Sequence, residues 1–227
     1  MYELIVTVVL MEDIKAEQSL EGISKFINVT MLQDEELKSF HKQTGYKHYS
    51  FNSFYPLETD KLYKKGRIYV VRIRSARYAF LQKLQRLMPK TTNQSLKVLA
   101  CQLKRLPQRH IESLYTVTPA IATVDGKPFL PDDDVEVLLK RLQGNLEKKY
   151  KDLYGDATFG NSFIKRIEII NKKPIGLVYK NMKLLGNKLK IEVNEDDMSQ
   201  RLAQVALCSG LLEKNSIGGG FCFANYV

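Results

Sequence analysis

The sequence predicts an α+β protein made of two ferredoxin-like (RRM-like) βαββαβ units in tandem. Three observations carry this reading. Short β-branched runs alternate with helical apolar stripes, the order strand, helix, strand, strand, helix, strand occurs twice, and a glycine-rich loop joins the last helix to the last strand. The halves share element order rather than visible sequence identity, and Pro107-Gln108-Arg109 marks the boundary between units 1–107 and 108–227.

In the first half, Leu4-Ile-Val-Thr-Val-Val-Leu10 sets a strand over residues 2–11. It is too short to span a bilayer and lacks a basic flank and a small-residue cleavage site, so it reads as a buried strand, not a targeting peptide. Gln18 to Val29 places Leu20, Ile23 and Ile27 along one helical face. Asp34, Glu35 and Glu36 open a short second helix running to about Lys42, since acidic side chains suit a helix N-terminus. Tyr49–Phe54 and, after the Lys64-Lys65-Gly66 turn, Arg67–Arg74 are strands; Tyr69, Val71 and Ile73 share one face of the latter. A helix from Ala76 to Met88 carries Phe80, Leu81, Leu84 and Leu87, and Ser95–Leu103 is the fourth strand.

The second half opens with an extended run from His110 to Val124, broken by Pro119, and the turn Asp125-Gly126. A long helix starts near Asp132-Asp133-Asp134 and carries Val135, Leu138, Leu142 and Leu146 to about Tyr154. Strands are expected at Phe163–Asn171, Ile175–Lys183 and Lys188–Val193. A helix capped by Asp196 or Asp197 follows, then the glycine loop and a final strand, Phe221–Tyr226.

Of the 227 residues 44% are apolar and 26% charged, as in an ordinary globular chain rather than a disordered one. Lys and Arg outnumber Asp and Glu by 35 to 25, a net charge of +10 that favours a polyanionic partner, nucleic acid first. Cys101, Cys208 and Cys222 form no C-x-x-C pair, so neither a disulfide framework nor a zinc site is supported, and a reducing, cytoplasmic setting is expected. No HExxH motif or paired-carboxylate spacing stands out, so no metal and no cofactor is expected.

The richest stretch is Gly210-Leu-Leu-Glu213-Lys214-Asn215-Ser216-Ile-Gly218-Gly219-Gly220, just before Phe221. Gly218, Gly219 and Gly220 beside a cation, an amide and a hydroxyl read as uncovered backbone N–H groups suited to a phosphate. A plain turn is the competing reading, although one glycine would serve for that. The run resembles the glycine-rich signature of the CRISPR-associated repeat-processing endoribonucleases, within the wider repeat-associated RNA-binding superfamily. That signature is a Gly, two residues, Glu-Lys-Asn/Arg-Ser, an apolar residue and Gly-x-Gly before the final strand. The paired halves extend the resemblance over essentially the whole chain.

Enzymes of that family commonly carry a catalytic histidine just after the first helical region, with a lysine a few residues later. Here Phe40-His41 ends the short helix and Gly45-Tyr46-Lys47 follows, so the resemblance implies His41 and Lys47 as the pair. Some members add a tyrosine on helix one, after a glycine. This chain has Gly22-Ile-Ser-Lys25-Phe26 there, with no tyrosine, and Lys25 is the nearby alternative. RNA carries its own nucleophile, the 2′-OH. Histidine, with a reference pKa near 6.5, suits proton transfer, and lysine suits the growing charge on the phosphorane oxygens.

Rival readings stand beside these. His41 lies four residues after Leu37 and could serve only structure; His48, alternating with Tyr49, is the rival catalyst; His110 reads as a surface or RNA-contacting residue. Lysine runs such as Lys148-Lys149 read as solvated faces by default. Lys165, Arg166, Tyr179 and Lys180 instead fall in a basic hairpin suited to phosphate contacts. Arg67, Arg72, Arg74 and Arg77 are a second basic candidate, while Tyr49 and Phe51 read as core rather than base-stacking residues. The resemblance implies CRISPR repeat RNA as partner, both precursor and product. It implies metal-independent cleavage by 2′-OH attack to 5′-hydroxyl and 2′,3′-cyclic phosphate ends. A homodimer and a place among the subunits of a CRISPR effector complex stay open. The alternative function is a non-catalytic RNA-binding subunit of an interference complex.

Overall fold

The computed structural model describes residues 1–227, and both halves follow the βαββαβ order. Strands β1 (Tyr2–Leu10), β3 (Tyr49–Phe51), β5 (Ile68–Ser75) and β6 (Leu96–Arg105) form an antiparallel sheet in the order β3-β5-β1-β6. The two-residue strands β2 (Ile14–Lys15) and β4 (Leu62–Tyr63) pair with each other. Along β1 every second side chain points inward: Leu4, Val6, Val8 and Leu10 are buried against Ile23, Phe26 and Ile27 of α1 (Ser19–Met31) and Leu81 and Leu84 of α3 (Tyr78–Leu87). The short α2 (Glu35–Lys42) starts where the Asp34 side chain accepts the Leu37 N–H at 3.0 Å.

The second sheet repeats the arrangement with β7 (Ile111–Thr116), β10 (Ile164–Ile169), β13 (Leu189–Val193) and β14 (Cys222–Tyr226), ordered β10-β13-β7-β14. In each half the first and third strands of the unit are central, the ferredoxin-like order. Helices α4 (Val135–Tyr154) and α5 (Asp197–Ser209) cover it and bury Leu138, Leu142, Leu146, Leu202 and Val205. Both starts are capped: Asp134 accepts the Glu136 N–H and Asp196 the Ser199 N–H. Strands β8 (Thr123–Val124) and β9 (Lys127–Pro128) flank the expected Asp125-Gly126 turn.

One element differs from expectation. Ile175–Lys183 is not one strand but a hairpin, β11 (Ile175–Tyr179) and β12 (Met182–Gly186). Lys180 and Asn181 take φ of 48° and 63°, two successive left-handed residues of the kind that close two-residue hairpins. The hairpin reaches back over the first half, where Leu177, Tyr179 and Leu184 join its core and the Lys180 N–H donates to Glu21 Oε1.

The halves are also joined directly. The Arg74 guanidinium donates to Glu3 Oε2 and to the Cys222 carbonyl, each at 2.7 Å, and lies over the Phe221 and Phe223 rings. Burial would raise the Glu3 carboxyl, but Arg74, Arg72 and Lys104 outweigh it and hold the group below the usual carboxylate range. This corrects the second basic candidate: Arg72 and Arg74 are engaged by Glu3, Arg67 by Glu58, and Arg77 packs over Phe40. Strand β6 ends at Arg105 and β7 begins at Ile111. No helix is long and apolar enough to cross a membrane.

Candidate functional site

A groove of ≈ 530 Å³ runs between residues 45–49, α4 and the glycine-rich loop. Helix α4 turns Lys140, Gly144 and Lys148 toward it at four-residue spacing, so two cations flank a position without a side chain. Arg141 and the exposed Lys214 add positive charge, and Glu213 is the one acidic side chain lining the groove. Glu213 is itself engaged by the Thr123 N–H and hydroxyl, which pin the loop to the 121–124 segment. The sequence reading passed over Lys140 and Arg141.

The loop is built from inside. Asn215 Nδ2 donates to the carbonyls of Leu211 and Gly219 at 2.9 Å, and its Oδ1 accepts from Lys149 Nζ at 2.8 Å. The same Nζ donates to the carbonyls of Gly210 and Leu212 at 2.7 and 2.8 Å. Lys149 is 1% exposed, which corrects its assignment to a solvated face. A sequence signal was available: Lys149 falls seven residues after Leu142 and three after Leu146, on the apolar stripe.

The reading of the three glycines as free amides is likewise corrected. Gly218, Gly219 and Gly220 are buried, and their N–H groups donate to Asn215, Lys214 and Pro119 carbonyls. At Gly220, with φ of +68°, a Cβ would fall on the Leu211 carbonyl oxygen; at Gly218, with φ of +95°, it would meet Leu20 and Phe51. The glycines serve close packing, and what the loop presents outward is Lys214 and Ser216.

Beside the groove lies a smaller pocket of ≈ 140 Å³ containing His41, Ser24, Asn28 and Tyr179, and it shares Lys47, Tyr49 and Ser216 with the groove. His41 sits in the last turn of α2. Desolvation first, then the charges of Lys47 and Lys180, lower its pKa, which favours the neutral imidazole. Lys47 Nζ donates to the carbonyls of Phe40, His41 and Gln43, closing the C-terminus of α2 and fixing His41. The Tyr49 hydroxyl, buried beneath the pocket, donates to the Ser216 carbonyl at 3.3 Å. Ser24, 1% exposed, has a hydroxyl with no protein partner.

The other expected residues divide between the groove, the pocket and more distant faces. His48 lines the groove but is buried, with Nε2 2.5 Å from Asp152 Oδ2 and Nδ1 3.2 Å from Ser209 Oγ, so its ring ties the first half to α4 and α5. Lys25 pairs with Glu21 at 3.0 Å and does not line the pocket. Lys165 and Arg166 lie on the edge strand β10 and line neither groove nor pocket, because the basic run divides between that strand and the hairpin. Tyr179 and Lys180, on the hairpin, do reach the His41 pocket, the first by lining it and the second by its charge. Tyr49 and Phe51 are core residues. His110 lies within hydrogen-bond distance of Gln200. No cluster of three or more His, Cys, Asp or Glu side chains is arranged to hold a metal ion.

The chain is thus a tandem ferredoxin-like protein with a glycine-rich loop beside a basic groove, and the comparisons say what it is similar to. The chain is 28% identical over 219 residues to a CRISPR-associated endoribonuclease, Cas6 2, of Methanocaldococcus jannaschii, covering 85% of this chain and 86% of the relative. A solved structure of a CRISPR-associated protein Cas6 superposes with a TM-score of 0.77 at 15% identity, covering 99% of both chains. A RAMP protein described as binding different RNA substrates superposes at 0.76 and 15% identity, covering 99% of this chain and 100% of that one. No family model matches the chain. The likeness to the CRISPR-associated repeat-processing endoribonucleases, expected from the loop signature, thus holds for sequence and fold alike.

Proposed function

We propose that this protein is a metal-independent endoribonuclease that cuts CRISPR precursor RNA within the repeat. The observation that carries the reading is the meeting of the basic groove and the His41 pocket at Ser216 of the glycine-rich loop. The groove follows the phosphate backbone through Lys140, Lys148 and Lys214. At the pocket, neutral His41 takes the proton of the 2′-OH, the 2′ oxygen attacks the adjacent phosphorus, and the bond to the 5′ oxygen breaks as that oxygen takes a proton from solvent water, the imidazolium later returning its own proton to solvent. The products carry 2′,3′-cyclic phosphate and 5′-hydroxyl ends. Lys47 positions His41 through the helix end and adds positive charge near the phosphate.

The test is incubation with the repeat RNA of the neighbouring array in EDTA, with mapping of both product ends. Cyclic phosphate and 5′-hydroxyl ends support the reading; 5′-phosphate ends or dependence on added metal overturn it. A second reading, a non-catalytic RNA-binding subunit, is favoured by the absence of a helix-one tyrosine and by the engagement of Lys47 Nζ with three carbonyls. Tight binding without cleavage in the same assay would establish it.

A further inference from the structure

Lys149 is the most unusual charged residue in the fold. Its side chain is buried, with no carboxylate among its hydrogen-bond partners, and it ends on three oxygen acceptors. An ammonium has three N–H bonds, so each acceptor receives one. Two acceptors are main-chain carbonyls at the start of the glycine-rich loop. The third is the side chain of Asn215, which in turn holds Leu211 and Gly219. One nitrogen therefore gathers both ends of the 210–220 segment, whose outward residues Lys214 and Ser216 line the groove.

We propose that Lys149 is a positioning residue for RNA recognition: its buried ammonium holds the glycine-rich loop in the form that presents Lys214 and Ser216 to the RNA. This rests on the reading of the groove as an RNA site. The neutral amine has only two N–H bonds and leaves one acceptor unpaired, so the protonated form fixes the loop more completely. Burial lowers the Lys149 pKa to about 7, against the opposing pull of Cys208, Cys222 and Glu213. Cys208 lies on α5, Cys222 on β14 and Glu213 on the loop; from the first half, Tyr46 and His48 face the same nitrogen. A polyanion in the groove favours the protonated form, so RNA binding takes up a proton here. The affinity then falls as pH rises above about 7.

The experiment measures two things in wild type, Lys149→Met and Asn215→Ala. One is amide exchange across residues 210–220 in the free protein. The other is Kd for fully 2′-O-methylated repeat RNA, which cannot be cut, between about pH 6 and 9. Lys149→Met is expected to speed exchange at Gly218–Gly220 and raise Kd, each by about tenfold or more, and to abolish part of the pH dependence of Kd. Asn215→Ala removes one acceptor and also the amide that holds Leu211 and Gly219, so it reports on the loop as a whole; if Lys149→Met does not fold, the wild-type loop decides the matter, its exchange relative to the intrinsic rate rising as pH passes about 7. Wild-type exchange in the loop with an unaltered pH dependence of Kd overturns the proposal, even if thermal stability falls. If wild type does not bind the RNA, the reading of the groove fails, while exchange in the free protein still decides whether Lys149 orders the loop.

Discussion

The Tyr49 hydroxyl donates to the carbonyl of Ser216 at 3.3 Å, so a strand of the first half holds the loop of the second at the point where groove and pocket meet. His41, on the adjacent α2, is kept in place by Lys47 beneath the helix end. The catalytic proposal depends on these two anchorages, since a misplacement of about 1 Å in reacting groups can cost 10²-fold in rate.

His41→Ala is expected to slow single-turnover cleavage of the repeat RNA by about 10²-fold or more while leaving Kd for uncleavable RNA within about threefold. A wild-type rate removes His41 from the chemistry.

The pH dependence follows from the lowered pKa of His41. A general base acts when neutral, so kcat/KM should rise with pH through an apparent pKa below 6.5, before the loss of affinity expected from Lys149 above about 7. Lys180 disfavours the imidazolium, so Lys180→Ala should move that acid limb to higher pH. An unmoved limb, or one moved to lower pH, contradicts the electrostatic picture.

For the groove, Lys140→Ala, Lys148→Ala and Lys214→Ala should each weaken RNA binding and reduce the slope of log K against log salt by about 0.7, the value for one phosphate contact on a single strand. Binding titrations over a salt series read this directly. An unchanged slope in all three variants would place the RNA elsewhere.

Gly220→Ala tests the corrected role of the glycines. With φ of +68° and the Leu211 carbonyl oxygen where a Cβ would stand, the variant should lose about 3 kcal/mol or more of stability by denaturant unfolding. A variant of wild-type stability that merely bound RNA less well would restore the open-amide reading.

Much of the fold was legible because its rules are local. Alternation in β1 and Asp residues ahead of α2, α4 and α5 mark elements without tertiary information. The hairpin turn escaped because Lys180-Asn181 carries no glycine or proline, although asparagine tolerates positive φ. Lys149 and the glycines were misread for a different reason. Their partners, Gly210, Leu212, Pro119 and Leu211, are set by packing between distant segments, which residue types do not report. His41 is marked by resemblance alone, and only the packing of the two halves brings it to the same pocket as Ser216.

The central claim, that the RNA supplies its own nucleophile at the His41 pocket, is tested most directly by a single substitution in the substrate. Repeat RNA carrying a 2′-deoxy nucleotide immediately 5′ of the mapped scissile phosphate should bind like the unmodified repeat and remain uncut. Cleavage of that substrate at the same phosphate would contradict the account.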